Sequence, residues 1–147
     1  MNKKSLIIKI IALVIVLICA IVPTVQKKRA ISSYEKVVKE SVGNAIKALD
    51  EYQETGEFSY IATVIDELEN CEKYLQKISM KNNLENYTWD ISRTIGQLKS
   101  FEEGDELQGV EELRKGLEFL QNDVYCQGEG YFTSFINKNM SWYNKAE

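Results

Sequence analysis

The sequence predicts an all-α protein: a single N-terminal transmembrane helix followed by a four-helix up-down bundle, built as two helical hairpins, with a short fifth C-terminal helix. Three observations carry this. From Leu6 to Val22 every residue except Lys9 is apolar or small. Beyond residue 30, apolar side chains recur three and four apart in four successive segments, without the strict alternation of a half-buried strand. The one proline is Pro23 and the glycines sit singly, which favours helices joined by short turns.

The first element is the membrane segment. Leu6 to Val22 spans about 25 Å as a helix at about 1.5 Å per residue. Continuing through Pro23 and Thr24 to Val25 brings it close to the ~30 Å hydrocarbon thickness of a bilayer. Leu13 and Leu17 take the middle of the span, and Lys9 lies about one turn inside its start, where its long stem reaches the headgroups. Leu6, Lys9, Leu13, Leu17 and Val22 therefore mark the anchor. A cleaved signal would need small residues at both positions that define the cut. Ile18-Cys19-Ala20 and Val22-Pro23-Thr24 each lack one, and Ile18 before Cys19 does not suit a lipoprotein signal. Residues 1–29 are thus expected to be a retained signal anchor with basic flanks, and residues 30–147 one helical-bundle domain.

Orientation follows from charge. Lys3 and Lys4 before the span nearly cancel Lys27, Lys28 and Arg29 after it under the positive-inside rule. All 22 acidic residues but only 12 of the 18 basic ones lie beyond Arg29. This tips the expectation toward an extracytoplasmic bundle.

The bundle helices follow in order. Tyr34, Val38, Val42, Ala45, Leu49 and Tyr52 form the first apolar stripe, and Ile61, Ile65, Leu68, Cys71, Leu75 and Ile78 the second. The third carries Leu84, Tyr87, Ile91, Ile95, Leu98 and Phe101, the fourth Leu107, Val110, Leu113, Leu117, Leu120 and Val124. Ser32 to Glu35 and Asp105 to Gln108 read as capping boxes, and Gly56 and Gly104 as left-handed helix ends. Ser79 to Asn83 is a polar linker. Glu35 with Lys39, Glu69 with Lys73 and Glu111 with Lys115 place acid four residues before base, marking wet faces. "YQETGEF" and "FEEGDEL" echo each other as acidic turns around a glycine. Gly128 and Gly130 are expected to end the fourth helix. Beyond them Phe132, Phe135, Ile136 and Met140 share one side of the fifth, in a tail rich in aromatics that either closes the bundle or binds something.

Histidine is absent. Catalysis with a histidine base, imidazole zinc sites and Glu-x-x-His di-iron sites are therefore excluded. The acidic balance speaks against nucleic acid. Glu102, Glu103, Asp105, Glu106, Glu111 and Glu112 cluster without the D-x-D-x-D-G spacing of a calcium loop, and acids at a helix N-terminus are favoured by its dipole. No catalytic residue, cofactor or metal is expected. Cys71 and Cys126 are expected to stay separate thiols, because the helices that carry them are diagonal in a simple bundle.

One arrangement points to binding. Trp89, Ser92, Gly96 and Ser100 form a second stripe on the third helix, away from its core face, with Arg93 at the edge. A large aromatic followed by small residues leaves a groove for a helix: the chain's own fifth helix, or a partner anchored on Trp89. Gly109 and Gly116 flank the fourth stripe and permit close helix approach. The sequence is read as a non-enzymatic, membrane-anchored helical module, monomeric or weakly self-associating, that binds a protein partner at the membrane surface. The alternative is a structural envelope or phage-lysis-type component that oligomerises through its helices.

Overall fold

The computed structural model describes residues 3–82, 85–125 and 130–143, which form five α-helices and no strand. They are α1 (Lys3–Thr55), α2 (Ser59–Asn82), α3 (Glu85–Lys99), α4 (Val110–Asn122) and α5 (Tyr131–Tyr143). Leu84, Cys126 and Gly128 lie outside the described residues, as do the side chains of Leu6, Tyr87 and Trp142.

The membrane segment and the first bundle helix were expected as separate helices; they are one, α1. Between Val25 and Tyr34 the chain has no glycine or proline and is rich in Lys, Arg and Ala, all good helix formers. Ser32 and Ser33 therefore lie inside a helix, and the capping box expected at Ser32 does not form. The chain divides into two compact units, residues 1–33 and 34–147.

In the first unit, the side chains from Ile7 to Arg29 are exposed. This is the one helix among the described residues long and apolar enough to cross a membrane. Leu13, Leu17 and Val22 are among its exposed apolar side chains, and Lys9 is exposed with them. Pro23 sits within it. One residue on, the Thr24 hydroxyl donates to the Ala20 carbonyl at 3.2 Å, a local bond of the kind that accompanies helix irregularities.

The second unit, from Tyr34, packs the rest of α1 with the other helices around one core. Its core follows the stripes read from the sequence, with Val38, Val42, Ala45 and Leu49 on α1, Ile61, Leu68, Cys71, Leu75 and Ile78 on α2, Ile91, Ile95 and Leu98 on α3, and Leu113, Leu117 and Leu120 on α4 all buried; Ile65, expected in the second stripe, is only partly buried, and its neighbour Val64 is buried instead. Fully burying one such side chain contributes about 1.5–3 kcal/mol.

Polar contacts set the helix order. Asn70 donates to Ser41 at 2.7 Å and Asn44 to Glu67 at 3.0 Å, so α1 and α2 run antiparallel. Ser92 to Glu72 and the Lys99–Glu69 ion pair tie α3 to α2. Arg114 donates to Asp50 at 2.8 Å, fixing α4 beside α1, and a second bond to Glu118 at 2.6 Å completes its fork.

The fifth helix is a full member of the bundle. It packs against both α3 and α4. Phe132, Phe135, Ile136 and Asn139 face the core at helical spacing, while Met140, expected on the same side, is 48 % exposed. The fit on α4 is specific: a Cβ added to Gly116 would lie 3.1 Å from the Phe132 ring. Phe119 stacks on Tyr131 with centroids 5.4 Å apart.

Several helix ends differ from expectation. Gly56 does cap α1, with φ of 68° and its N–H donating to the Tyr52 carbonyl at 2.8 Å. Gly104 does not cap α3, which ends at Lys99; it sits at φ 103° in a turn closed by the Asp105 N–H to the Glu102 carbonyl. The Asp105 carboxylate accepts from the Glu102 amide at 2.8 Å, so no capping box forms there. Instead α4 starts three residues after Leu107, behind Gly109 at φ 69°. It ends at Asn122, before the two glycines expected to terminate it, with Asp123 extended. Of the three surface pairs read from the sequence, Glu111–Lys115 forms at 3.6 Å. Glu69 pairs with Lys99 instead, and Glu35 accepts from the Tyr125 hydroxyl.

Candidate interaction site

Two places in the bundle combine exposure with unusual chemistry, and both grew from sequence features already named. The first is the outer face of α3. Trp89 lies in its second turn and is 65 % exposed. Most tryptophan surface is apolar, so leaving it in water forgoes on the order of 100 Å² of burial at about 25 cal/mol per Å². The Arg93 guanidinium lies over its ring, 5.0 Å from the centroid. This stacks a cation on the indole face.

Ser92, Gly96 and Ser100 continue the stripe, and all three are exposed. Ser92 is turned toward α2, donating to the Glu72 carboxylate at 2.7 Å. Gly96 is open: a Cβ built on it meets nothing within 4 Å. Ser100 folds back to donate to the Gln97 carbonyl at 2.6 Å, closing the end of α3. The structure therefore brings Trp89, Ser92, Arg93, Gly96 and Ser100 onto one surface. Among the described residues α5, which packs on α3, leaves Trp89 and Gly96 uncovered and does not fill this stripe.

The second place is where the two echoing glycine turns meet. Tyr52, Gly56, Glu57 and Phe58 from one, with Glu103 to Glu106 from the other, line an open cavity of about 370 Å³. Both turns fall at the same end of the bundle because α1 and α3 run in the same direction and each turn follows one of them. Among the described residues no group of three or more acidic or cysteine side chains is placed to hold a metal ion.

The titratable groups that shift are structural. The Cys71 thiol is free, and burial first, then Glu72 and Glu67, push its pKa up to about 12. Such a thiol is inert as a nucleophile. Glu112 is lowered by its hydrogen bond to Lys138, and Lys99 is raised by its bond to Glu69. Both are surface ion pairs between helices.

Sequence reasoning missed one functional-looking element of the framework. Asn139 on α5 is 4 % exposed and makes three bonds. Its carbonyl accepts the Gln108 amide at 3.1 Å, and its amide donates to the Gln108 and Phe135 carbonyls, each at 2.9 Å. It pins the loop before α4 to α5. Asn139 falls three residues after Ile136 on the Phe132–Ile136 stripe, and that polar interruption of an apolar face was the available signal.

Among the described residues the chain is all-helical, with one helix long and apolar enough to cross a membrane and an exposed Trp–Arg face, and these features define its class. No family model matches the chain, and no curated protein and no solved structure matches it either.

Proposed function

We propose that the chain is a membrane-anchored, non-enzymatic helical module that binds a protein partner through the outer face of α3. The observation that carries the reading is Trp89, 65 % exposed beneath an arginine, on a face where Gly96 leaves open space. Trp and Arg are the side chains most enriched at binding hot spots, where a few residues account for most of the affinity. A flat glycine one helical step beyond lets a partner backbone approach closely.

In this reading residues 1–29 stay attached as the anchor and the bundle lies outside the cytoplasm, as the acidic excess beyond Arg29 supports. Intact mass of the membrane-extracted protein should include residues 1–29; a species beginning near Ile21 or Val25 would overturn retention. Lys47 is exposed, so Lys47→Cys in a background lacking Cys19, Cys71 and Cys126 reports the side. Labelling by a membrane-impermeant maleimide on intact cells supports export, whereas labelling only after lysis reverses it. Binding itself is tested with a photocrosslinking amino acid at Ser100 in native membranes. A discrete adduct that disappears on Trp89→Ala supports the reading; adducts indifferent to Trp89 refute it.

A further inference from the structure

We infer that the partner of the α3 face is a second copy of this chain, docked side by side with the two α3 helices running in the same direction. The inference rests on α3's outer face being a binding surface, and it names the occupant.

Charge complementarity carries it. Among the described residues Arg93 has no carboxylate partner in its own chain; its guanidinium rests on Trp89. Glu72 of α2 lies beside the same face and takes neutral donors, the Ser92 hydroxyl at 2.7 Å and the Gln76 amide at 3.4 Å. The Ser92 bond places that carboxylate at the level of residues 92 and 93. Among the described residues one face thus holds, at one height, an arginine and a carboxylate that are each without an ion pair, with Lys99 acting on Glu72 only at longer range.

Two copies related by a two-fold axis parallel to their α3 helices bring equal heights face to face. Arg93 of each then meets Glu72 of the other, so the contact is made twice, as a self-complementary interface requires. Guanidinium and carboxylate can pair through two parallel hydrogen bonds. One turn along, the open space at Gly96 admits the facing backbone. One turn the other way, the second copy covers Trp89.

The size of the patch sets the strength. Outside the membrane segment, the exposed large hydrophobics among the described residues are Trp89, Tyr125 and Met140. One aromatic per copy falls short of the roughly 800 Å² per partner of a stable soluble complex. Confinement of both anchors to one membrane compensates, because tethering raises effective concentration toward the mM range. Pairing is therefore expected to depend on the protein-to-lipid ratio.

The test uses the full chain with Cys19, Cys71 and Cys126 replaced by alanine, reconstituted in phosphatidylcholine–phosphatidylglycerol vesicles. Gly96→Cys and Ser100→Cys, four residues apart on the face, are each oxidised with copper phenanthroline. Disulfide-linked dimers should form about tenfold faster than with Lys47→Cys on α1, the difference between a held contact and random collision. Adding Arg93→Glu should bring both rates down to the Lys47→Cys level, and adding Glu72→Arg to that variant should restore them. Equal rates for all three cysteines, or indifference to Arg93→Glu, overturn the second copy. If the photocrosslinker at Ser100 then captures a different protein in a Trp89-dependent way, the binding face stands and only its occupant is wrong. Absence of both disulfide and adduct overturns the face as well.

Discussion

Two glycines inside helices offer opposite outcomes from the same substitution. In a helix interior alanine is favoured over glycine by about 1 kcal/mol. Gly96 on α3 is exposed and its added Cβ meets nothing within 4 Å, so Gly96→Ala should gain that full amount. Gly116 on α4 is buried, and its Cβ would sit 3.1, 3.2 and 3.3 Å from Cζ, Cε1 and Cδ1 of Phe132. That ring is 2 % exposed and cannot swing aside, so α5 must shift outward by a few tenths of an ångström. Overpacking of this kind costs about 1–3 kcal/mol. Set against the propensity gain, Gly116→Ala should be destabilising by about 0–2 kcal/mol. The assay is urea unfolding of the full chain at one protein per micelle, followed by circular dichroism at 222 nm. Amide exchange across 131–143 locates the damage. If Gly116→Ala stabilises as much as Gly96→Ala, Phe132 does not seat on α4 and the placement of α5 is wrong. A loss at Gly96→Ala would instead mean that something covers the α3 face.

Leu68 and Leu117 are fully buried, and Leu68→Ala and Leu117→Ala should each cost about 2–5 kcal/mol in the same unfolding assay. Asn139→Ala strips the Gln108 amide and carbonyl of their partner and should cost about 1–3 kcal/mol, with faster amide exchange at Gln108 as the local signature. For Cys71 the native pKa is raised to about 12 while the unfolded thiol titrates near 9.0. The stabilisation is fully present below pH 9 and is lost as pH rises toward 12, because the unfolded state sheds the proton first. Unfolding free energies measured from pH 8 to 11 should fall by up to about 1.4 kcal/mol per pH unit above 9 from this group alone. Cys71→Ala should make that slope shallower, and an unchanged slope would show that the thiol is not buried.

Helix identity was legible because it depends on a repeating pattern. The stripes on α1, α2, α3 and α4 predict the buried faces from Val38 to Leu120, since an apolar row at three- and four-residue spacing can be satisfied only by burial on one side. Boundaries were less legible because they depend on competition. Ser32 and Asp105 both carry capping chemistry, yet neither caps a helix. At Ser32 the surrounding Lys, Arg and Ala continue α1 at little cost. At Asp105 the carboxylate is taken by the Glu102 amide, and the left-handed Gly109 moves the start of α4 to Val110. A capping side chain proposes a helix start, and it loses wherever the chain before it can remain helical or the side chain finds a nearer donor.

The α3 face shows where pattern reading ends. Trp89, Ser92, Gly96 and Ser100 are visible in the sequence as a second stripe, but whether α5 covers them depends on where a thirteen-residue helix docks. Its register is set on α4. Phe132 fills the gap over Gly116, Tyr131 stacks on Phe119, Lys138 reaches Glu112, and Asn139 bonds both the backbone N–H and the carbonyl of Gln108. The polar bonds act as a ruler: sliding α5 by one turn along α4 would strand the buried Asn139 amide and both Gln108 groups, at about 1–3 kcal/mol for each left unpaired. The same slide would lift Phe132 off Gly116, where the missing side chain leaves room for its ring. With α5 held to α4 in this way, it meets α3 without reaching round to its outer face. The exposure of Trp89 is thus a consequence of how firmly the fifth helix is committed elsewhere. Breaking that commitment at Asn139 should loosen α5 while leaving Trp89 as solvent-exposed as before, which fluorescence quenching of Trp89 in a Trp142→Phe background measures directly. A marked change in quenching on Asn139→Ala would mean that α5 does shelter Trp89.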